Sequence, residues 1–429
     1  MTNPKNKRFY GWIVVAGCGL RHFANAGTLL YSFGVFLPII CERFGWSRAV
    51  VAGAFSLRSL LGGLLGPVAG AAMFKFGARK VMVYAAIVGA LGLAGMSVIS
   101  EVWHVYLFYG ILVALGGGFS AILGIMTVIN NWFIKRRSLA MGIALVGGGL
   151  GGFAFPPLIA WLTLNIGWQP TLLILAATLT VVAAGIGGLI IRNRPEDMGQ
   201  VPDGIATEAD RKTGVEIASP PRTYQTPIDW EAKLAMKQPT TWLIIIATIA
   251  SGFTFSTLLA HQVAYLEDVG FSRLIAASAL GLIPGASIIG RLAIGALATR
   301  FESRYLAALC LTAQAVAMVI LLNATTLPLV FLYSALLGIA SGGLLVIRPS
   351  LIGGYYGRTH YSQIAGWMMP FSAVFGALGP IVAGAIHDSR GTYYLAFIIT
   401  LVLCGVGAVS YFFARPPKPP TTSQPPYQL

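Results

Sequence analysis

Gly270-Phe271-Ser272-Arg273 opens an apolar run that continues to Ala298 and closes on Phe301 and Arg304. At an offset of 225 residues, Gly45-Trp46-Ser47-Arg48 opens a matching run that closes on Phe76 and Arg79. Within the runs, Gly70-Ala71 pairs with Gly295-Ala296 at the same offset. Gly/Ala-rich helices agree by chance to some degree, but matched charged ends argue for duplication. Each run exceeds the ~20 apolar residues that a helix needs to cross the hydrocarbon of a bilayer. The repeat therefore predicts two homologous halves, each a bundle of membrane-spanning helices.

Working outward from these two runs gives twelve spans in all. They cover approximately 10–40, 48–74, 79–100, 104–132, 138–164 and 168–192, then 240–266, 273–298, 304–323, 327–354, 360–386 and 391–414. Composition agrees: 56% of residues are hydrophobic and 10% are charged, against about 25% charged in a soluble domain. The predicted fold class is an all-α polytopic membrane protein. Its predicted parts are an N-terminal six-helix bundle (1–192), a linker (193–239), a C-terminal six-helix bundle (240–414) and a tail (415–429). The linker is polar and proline-bearing, with a short surface helix expected near Trp230–Lys237. The tail, with Pro416, Pro417, Pro419 and Pro420, is expected to be extended or disordered. Glycine clusters such as Gly116-Gly117-Gly118, Gly147-Gly148-Gly149 and Ser341-Gly342-Gly343 fit close helix packing in lipid. Two six-helix halves with a site at their junction are a secondary-transporter architecture.

Several classes are excluded. The net charge of +15 invites nucleic acid as a partner, but the basic residues sit in short clusters between apolar runs. Such clusters set membrane orientation. With the N-terminus placed inside, cytoplasmic segments hold Lys5, Lys7, Arg8, Lys75, Arg79, Lys80, Lys135, Arg136, Arg137 and the basic linker. The external loops hold only Arg43, Arg48, Arg273 and Arg390. Both termini are expected in the cytoplasm. Cys18, Cys41, Cys310 and Cys404 are too dispersed for a disulfide framework or a zinc site. The run from Tyr10 is too long for a cleavable signal, and the lack of a targeting segment fits a bacterial inner membrane. No nucleotide loop, metal-ligand cluster or nucleophile–base set points to an enzyme or to a cofactor.

Charges inside spans carry the functional reading, because an ionised residue at mid-bilayer costs roughly 2.5–3.5 kcal/mol on insertion scales. Arg21, Arg58, Arg291 and Arg348 lie this way, while no Asp or Glu lies deep in a span. Cations facing a site suit an anionic substrate, since guanidinium binds carboxylate through two parallel hydrogen bonds. Each arginine also has a structural alternative: a contact to backbone carbonyls for Arg291, a glycine-exposed carbonyl or a water for Arg21 and Arg58, and snorkelling to the interface for Arg348. His261 titrates in the working pH range or sits neutral between helices. Asp268 lies at the outer end of its span as a proton-coupling candidate or as a solvated carboxylate. Tyr31, Phe33, Trp367 and Phe371 are candidate lining aromatics or lipid-facing packing residues.

The loop Gly70-Ala71-Ala72-Met73-Phe74-Lys75-Phe76-Gly77-Ala78-Arg79-Lys80 resembles the loop motif of the major facilitator superfamily. Three further stretches resemble its monocarboxylate porter family and bacterial relatives, among them lactate transporters and oxalate–formate exchangers. They are Tyr10-Gly11-Trp12-Ile13-Val14-Val15, the more specific Trp132-Phe133-Ile134-Lys135-Arg136-Arg137-Ser138-Leu139-Ala140-Met141-Gly142, and Gly290-Arg291-Leu292-Ala293-Ile294-Gly295. The resemblance covers nearly the whole chain. It implies that Arg291 binds the substrate carboxylate, that His261 lines the pathway and that Asp268 is a proton-coupling acid. The sequence departs from the family in places. Phe74 and Thr299 stand where an acid would pin the inward gate. Ser287 stands where animal members carry Asp, Leu30 or Tyr31 where they carry Lys, and the eleventh span lacks the lysine of oxalate–formate exchangers. The expected function is alternating-access transport of a small organic anion, in the first place a monocarboxylate, bound between the halves with proton symport. Anion exchange, a dicarboxylate substrate, a multidrug or neutral-solute exporter and a non-transporting sensor stay open.

Overall fold

A computed structural model describes residues 9–46, 48–120, 122–204 and 224–418. Lys5, Lys7, Arg8, Arg211, Lys212, Arg222 and the end of the proline-rich tail lie outside the described residues. The described residues form helices and no strand. Eleven helices are long and apolar enough to span a membrane, and a bent pair makes a twelfth. The chain is therefore an all-helical, multi-pass integral membrane protein.

It divides into two compact units, Met1–Pro221 and Arg222–Leu429. The first unit holds α1 (Gly11–Leu37), α2 (the bent pair Gly53–Leu64 and Gly66–Phe76), α3 (Ala78–Met96), α4 (Val102–Trp132), α5 (Arg137–Ile166) and α6 (Trp168–Ile190). The second holds α7 (Pro239–Asp268), α8 (Arg273–Leu297), α9 (Ser303–Leu322), α10 (Leu327–Tyr356), α11 (Tyr361–Arg390) and α12 (Tyr394–Phe413). The second span, read from the sequence as one run over 48–74, is bent by 51° after Leu64. Pro67 follows the break, and its missing N–H removes one rung of the helix ladder. Wide π turns interrupt α1 at Ala26–Tyr31, α4 at Tyr106–Val113 and α6 at Leu179–Ile186, none of which periodicity foretells. The expected surface helix of the linker is one turn, Ala232–Ala235, and Trp230 beside it is buried against Tyr356.

Large apolar side chains point outward, as lipid solvation permits: Leu164 is 88% exposed and Phe153 83%. At the closest helix crossings the residues in contact are small. Gly147 and Gly151 of α5 abut the Gly19 and Phe23 carbonyls of α1. Gly338 and Gly342 of α10 abut the Ile283 and Ser287 carbonyls of α8. With lipid on the alternative side, such contacts gain dispersion energy that larger side chains would forfeit.

The two family-like stretches near the start and before α5 meet in space. Phe9, Tyr10 and Trp12 pack tilted or edge-on against Trp132 and Phe133 with ring centroids 5.0–6.0 Å apart. This aromatic joint ties the N-terminus of α1 to the end of α4 on the side of the unit that carries the linker.

Gly342→Val forces β-branched bulk against the Ser287 carbonyl, at an overpacking cost of about 1–3 kcal/mol. A lower thermal midpoint in detergent is expected. An unchanged midpoint would mean that α8 and α10 do not touch backbone to backbone.

Candidate functional site

The four span arginines meet four different environments. Arg21 in α1 is fully buried. Its NH1 donates to the Ala183 carbonyl, inside the π turn of α6, and its NH2 donates to the Met82 carbonyl of α3. The guanidinium thus braces three helices, the carbonyl alternative left open by the sequence. Arg58 in the first limb of α2 is half-buried, with its guanidinium 5.8 Å from both the Phe55 and the Tyr109 ring centres. Phe33 stacks on Tyr109 at 4.3 Å and on Phe55 at 5.4 Å. The Tyr109 hydroxyl donates to the Leu29 carbonyl at 2.9 Å, which locks that ring. Arg58 Nε is buried with no hydrogen-bond partner among the described residues. Cation–π attraction is a partial substitute for hydration, so this cation remains suited to an anion.

Arg291 sits half-buried in α8. Its NH2 donates to Ser287 Oγ, one turn earlier, at 3.2 Å, and Ser287 Oγ donates its own proton to the Pro284 carbonyl at 2.7 Å. Ser287 is the residue standing where animal members of the resembled family carry Asp. A carboxylate there would cancel the guanidinium charge, whereas a hydroxyl orients it and leaves it positive. Pro284 inside α8 and the α10 backbone against Ser287 and Gly290 fix that turn. Arg348 is half-buried in α10 beside Pro349.

His261 in α7 faces two partners. Its Nε2 lies 3.0 Å from the Pro380 carbonyl of α11, and its Nδ1 lies 3.3 Å from the Tyr393 hydroxyl at the start of α12. A carbonyl only accepts, so Nε2 carries the proton. Tyr393 either donates to a neutral Nδ1 or accepts from a protonated one. Asp268, exposed at the end of α7, has Oδ2 3.8 Å from His387 Nε2, and the His387 ring stacks on Tyr393 at 4.3 Å. The two proton-coupling candidates are thereby linked through two side chains that sequence reading passed over. His387 and Tyr393 bracket the α11–α12 turn, where no motif marks them.

Of the remaining sequence candidates, Tyr31 and Trp367 are exposed, and Phe371 packs on Trp242 at 5.5 Å. Among the described residues no group of three or more His, Cys, Asp or Glu is placed to hold a metal ion.

The sequence pattern of the Major Facilitator Superfamily matches residues 23–313 and 285–427. Monocarboxylate transporter 13 of Rattus norvegicus is 27% identical over 405 residues, covering 93% of this chain and 88% of the relative. The structure is similar to that of the transporter FucP in the outward conformation, with a TM-score of 0.68 and 15% identity over 95% of this chain and 100% of the other. It is also similar to that of the human organic anion transporter MFSD10, with a TM-score of 0.66 and 18% identity over 96% and 100%.

Arg21→Met removes both donors from two buried carbonyls at a cost of roughly 2–4 kcal/mol. A marked fall in the thermal midpoint is expected, whereas Arg58→Met, which breaks no hydrogen bond, leaves the midpoint near that of the parent. Equal midpoints for the two variants would contradict the bracing of Arg21.

Proposed function

The chain belongs to the Major Facilitator Superfamily, and from that premise we propose that it carries a small organic anion, in the first place a monocarboxylate, by alternating access with proton symport. The observation that carries this reading is Arg291 held by the neutral Ser287. A half-buried guanidinium oriented by a hydroxyl presents a positive fork to a carboxylate, and binding offsets positive charge within the span. The relatives named monocarboxylate transporters support that substrate class. Arg58, with its buried Nε, is the second anchor in the first unit, and Arg348 contributes charge in the second. The Lys/Arg asymmetry supports a cytoplasmic position for both termini.

His261 is the favoured coupling group. Its two partners accept either protonation state without breaking a hydrogen bond, and the Tyr393–His387–Asp268 series leads from it to the exposed end of α7. Anion exchange is the second reading, favoured by the absence of a carboxylate deep in any span.

Uptake of labelled lactate, pyruvate, oxalate and succinate into proteoliposomes tests both readings. Wild type is expected to accumulate a monocarboxylate under an inward proton gradient, and Arg291→Ala is expected to lose it by at least about 100-fold, the loss of a charge-assisted pair. Normal uptake by that variant, or no uptake of any of the four, would remove the carboxylate reading. Uptake that needs only an internal anion would establish exchange.

His261→Gln keeps an N–H for Pro380 but cannot take up a proton. It is expected to retain counterflow of preloaded substrate and to lose acceleration by the gradient. Uphill accumulation by this variant would move proton coupling away from His261.

A further inference from the structure

Phe74 and Thr299 stand where the loop acid of the family would pin a gate, yet a carboxylate does reach the loops of each unit. It comes from the linker. In the first unit, Asp203 Oδ2 accepts from Ile134 N at 2.9 Å and from Lys135 N at 2.8 Å, and Oδ1 accepts from Arg136 N at 3.3 Å. Those three residues lead directly into α5. In the second unit, Asp229 Oδ1 accepts from Arg358 N at 2.6 Å and from Thr359 N at 3.3 Å, and Oδ2 accepts from Thr359 Oγ1 at 2.6 Å. Those residues lead into α11. Ile134 and Thr359 correspond at the 225-residue offset of the repeat, so two unrelated linker positions fasten equivalent loops.

The backbone is shaped around both contacts. Asp203 has φ 60° and ψ 3° and is the one non-glycine residue with positive φ among the described residues. Such strain persists where surrounding contacts over-determine it. Gly357 has φ 88°, and a methyl group there would fall on Asp229 Oδ1. Further bonds join the linker ends to the same units. Asn193 Oδ1 accepts from Arg79 N at 2.8 Å, and Trp132 Nε1 donates to the Arg192 carbonyl at 2.9 Å. Thr226 N and Trp230 N donate to the Gly354 and Tyr356 carbonyls at 2.8 and 3.0 Å.

We propose that Asp203 and Asp229 are the gate-fastening carboxylates of this protein, supplied by the linker to backbone N–H groups instead of by the loop motif to a charged side chain. Each locks the start of α5 or α11 to its end of the linker, and its release frees that helix end to move. They are positioning residues that act through the loops, and the proposal holds for any substrate.

Thiol accessibility tests it without a transport assay. Ser138→Cys and Ser362→Cys place near-isosteric reporters in the first turns of α5 and α11, where the serines are 3% and 2% exposed. Cys18, Cys310 and Cys404 are buried, and Cys41→Ser removes the partly exposed native thiol. The purified full chain in detergent is labelled with a water-soluble maleimide. Asp203→Asn turns one acceptor into an amide donor facing N–H groups. It is expected to speed labelling of the α5 reporter about tenfold, the equivalent of about 1.4 kcal/mol, and to leave the α11 reporter unchanged. Asp229→Asn is expected to do the converse, and Thr359→Val, which removes one bond of three, a fraction of it. Should an Asn variant not fold, Thr359→Val decides. Unchanged labelling overturns the proposal, and so does a rise at both reporters together, which would mark general loosening.

Discussion

A guanidinium inside a bilayer has to be answered by something other than water, and much of the packing of this chain follows from how three of them are answered. Desolvation of an ionised group is the largest single cost in such a span. Arg21 meets it with two carbonyls from neighbouring helices. Arg58 meets it with two aromatic faces. Arg291 meets it with a neutral hydroxyl on its own helix. These solutions differ in what they leave over. Carbonyls take a donor from each terminal nitrogen of Arg21, which ties its guanidinium into the packing of α1, α3 and α6. Rings and a hydroxyl are neutral partners, and they orient the guanidinium groups of Arg58 and Arg291. The arginines are told apart by their partners, since all four are equally intramembrane in the sequence.

Bracing of this kind requires backbones that come close. Arg21 reaches the Ala183 carbonyl inside the π turn of α6, with Gly187 of the same helix beside its aliphatic stem. Ser287 orients Arg291 because α10 offers glycine to the α8 carbonyls at that level. Gly/Ala content is therefore tied to the electrostatics: small residues shorten the distance over which a buried charge must find a partner. Bulky apolar side chains fill the wider gaps between helices and also face lipid, as Leu164 and Phe153 do.

This division marks what the sequence could disclose. Span number, the repeat and the intramembrane arginines were legible because hydropathy, charge clustering and a fixed offset are local or linear signals. The bend of α2 had a visible cause in Pro67, although proline alone does not tell a kink from a tolerated break. The partners of Arg21 were illegible, because Met82 and Ala183 offer only their backbones and every residue has one. His387 and Tyr393 were overlooked for a related reason. Their relation to His261 and Asp268 is made by three helix ends that converge in space, and no spacing in the sequence encodes it.

The linker shows the same limit from the other side. Polar, proline-bearing composition marks 193–239 as a connection, and composition cannot say whether a connection is slack. Pro202-Asp203-Gly204 reads as a turn, yet Asp203 spends its carboxylate on three N–H groups of another loop. An acid in a loop motif needs a basic partner at a particular position. An acid that binds backbone N–H groups needs only a loop of the right shape, because every non-proline residue supplies the donor. Lys135 and Arg136 lie in that loop and carry part of the charge asymmetry on which membrane orientation depends. Fastening by backbone thus sets no requirement on the side chain at Phe74 or Thr299, the two loop-motif positions.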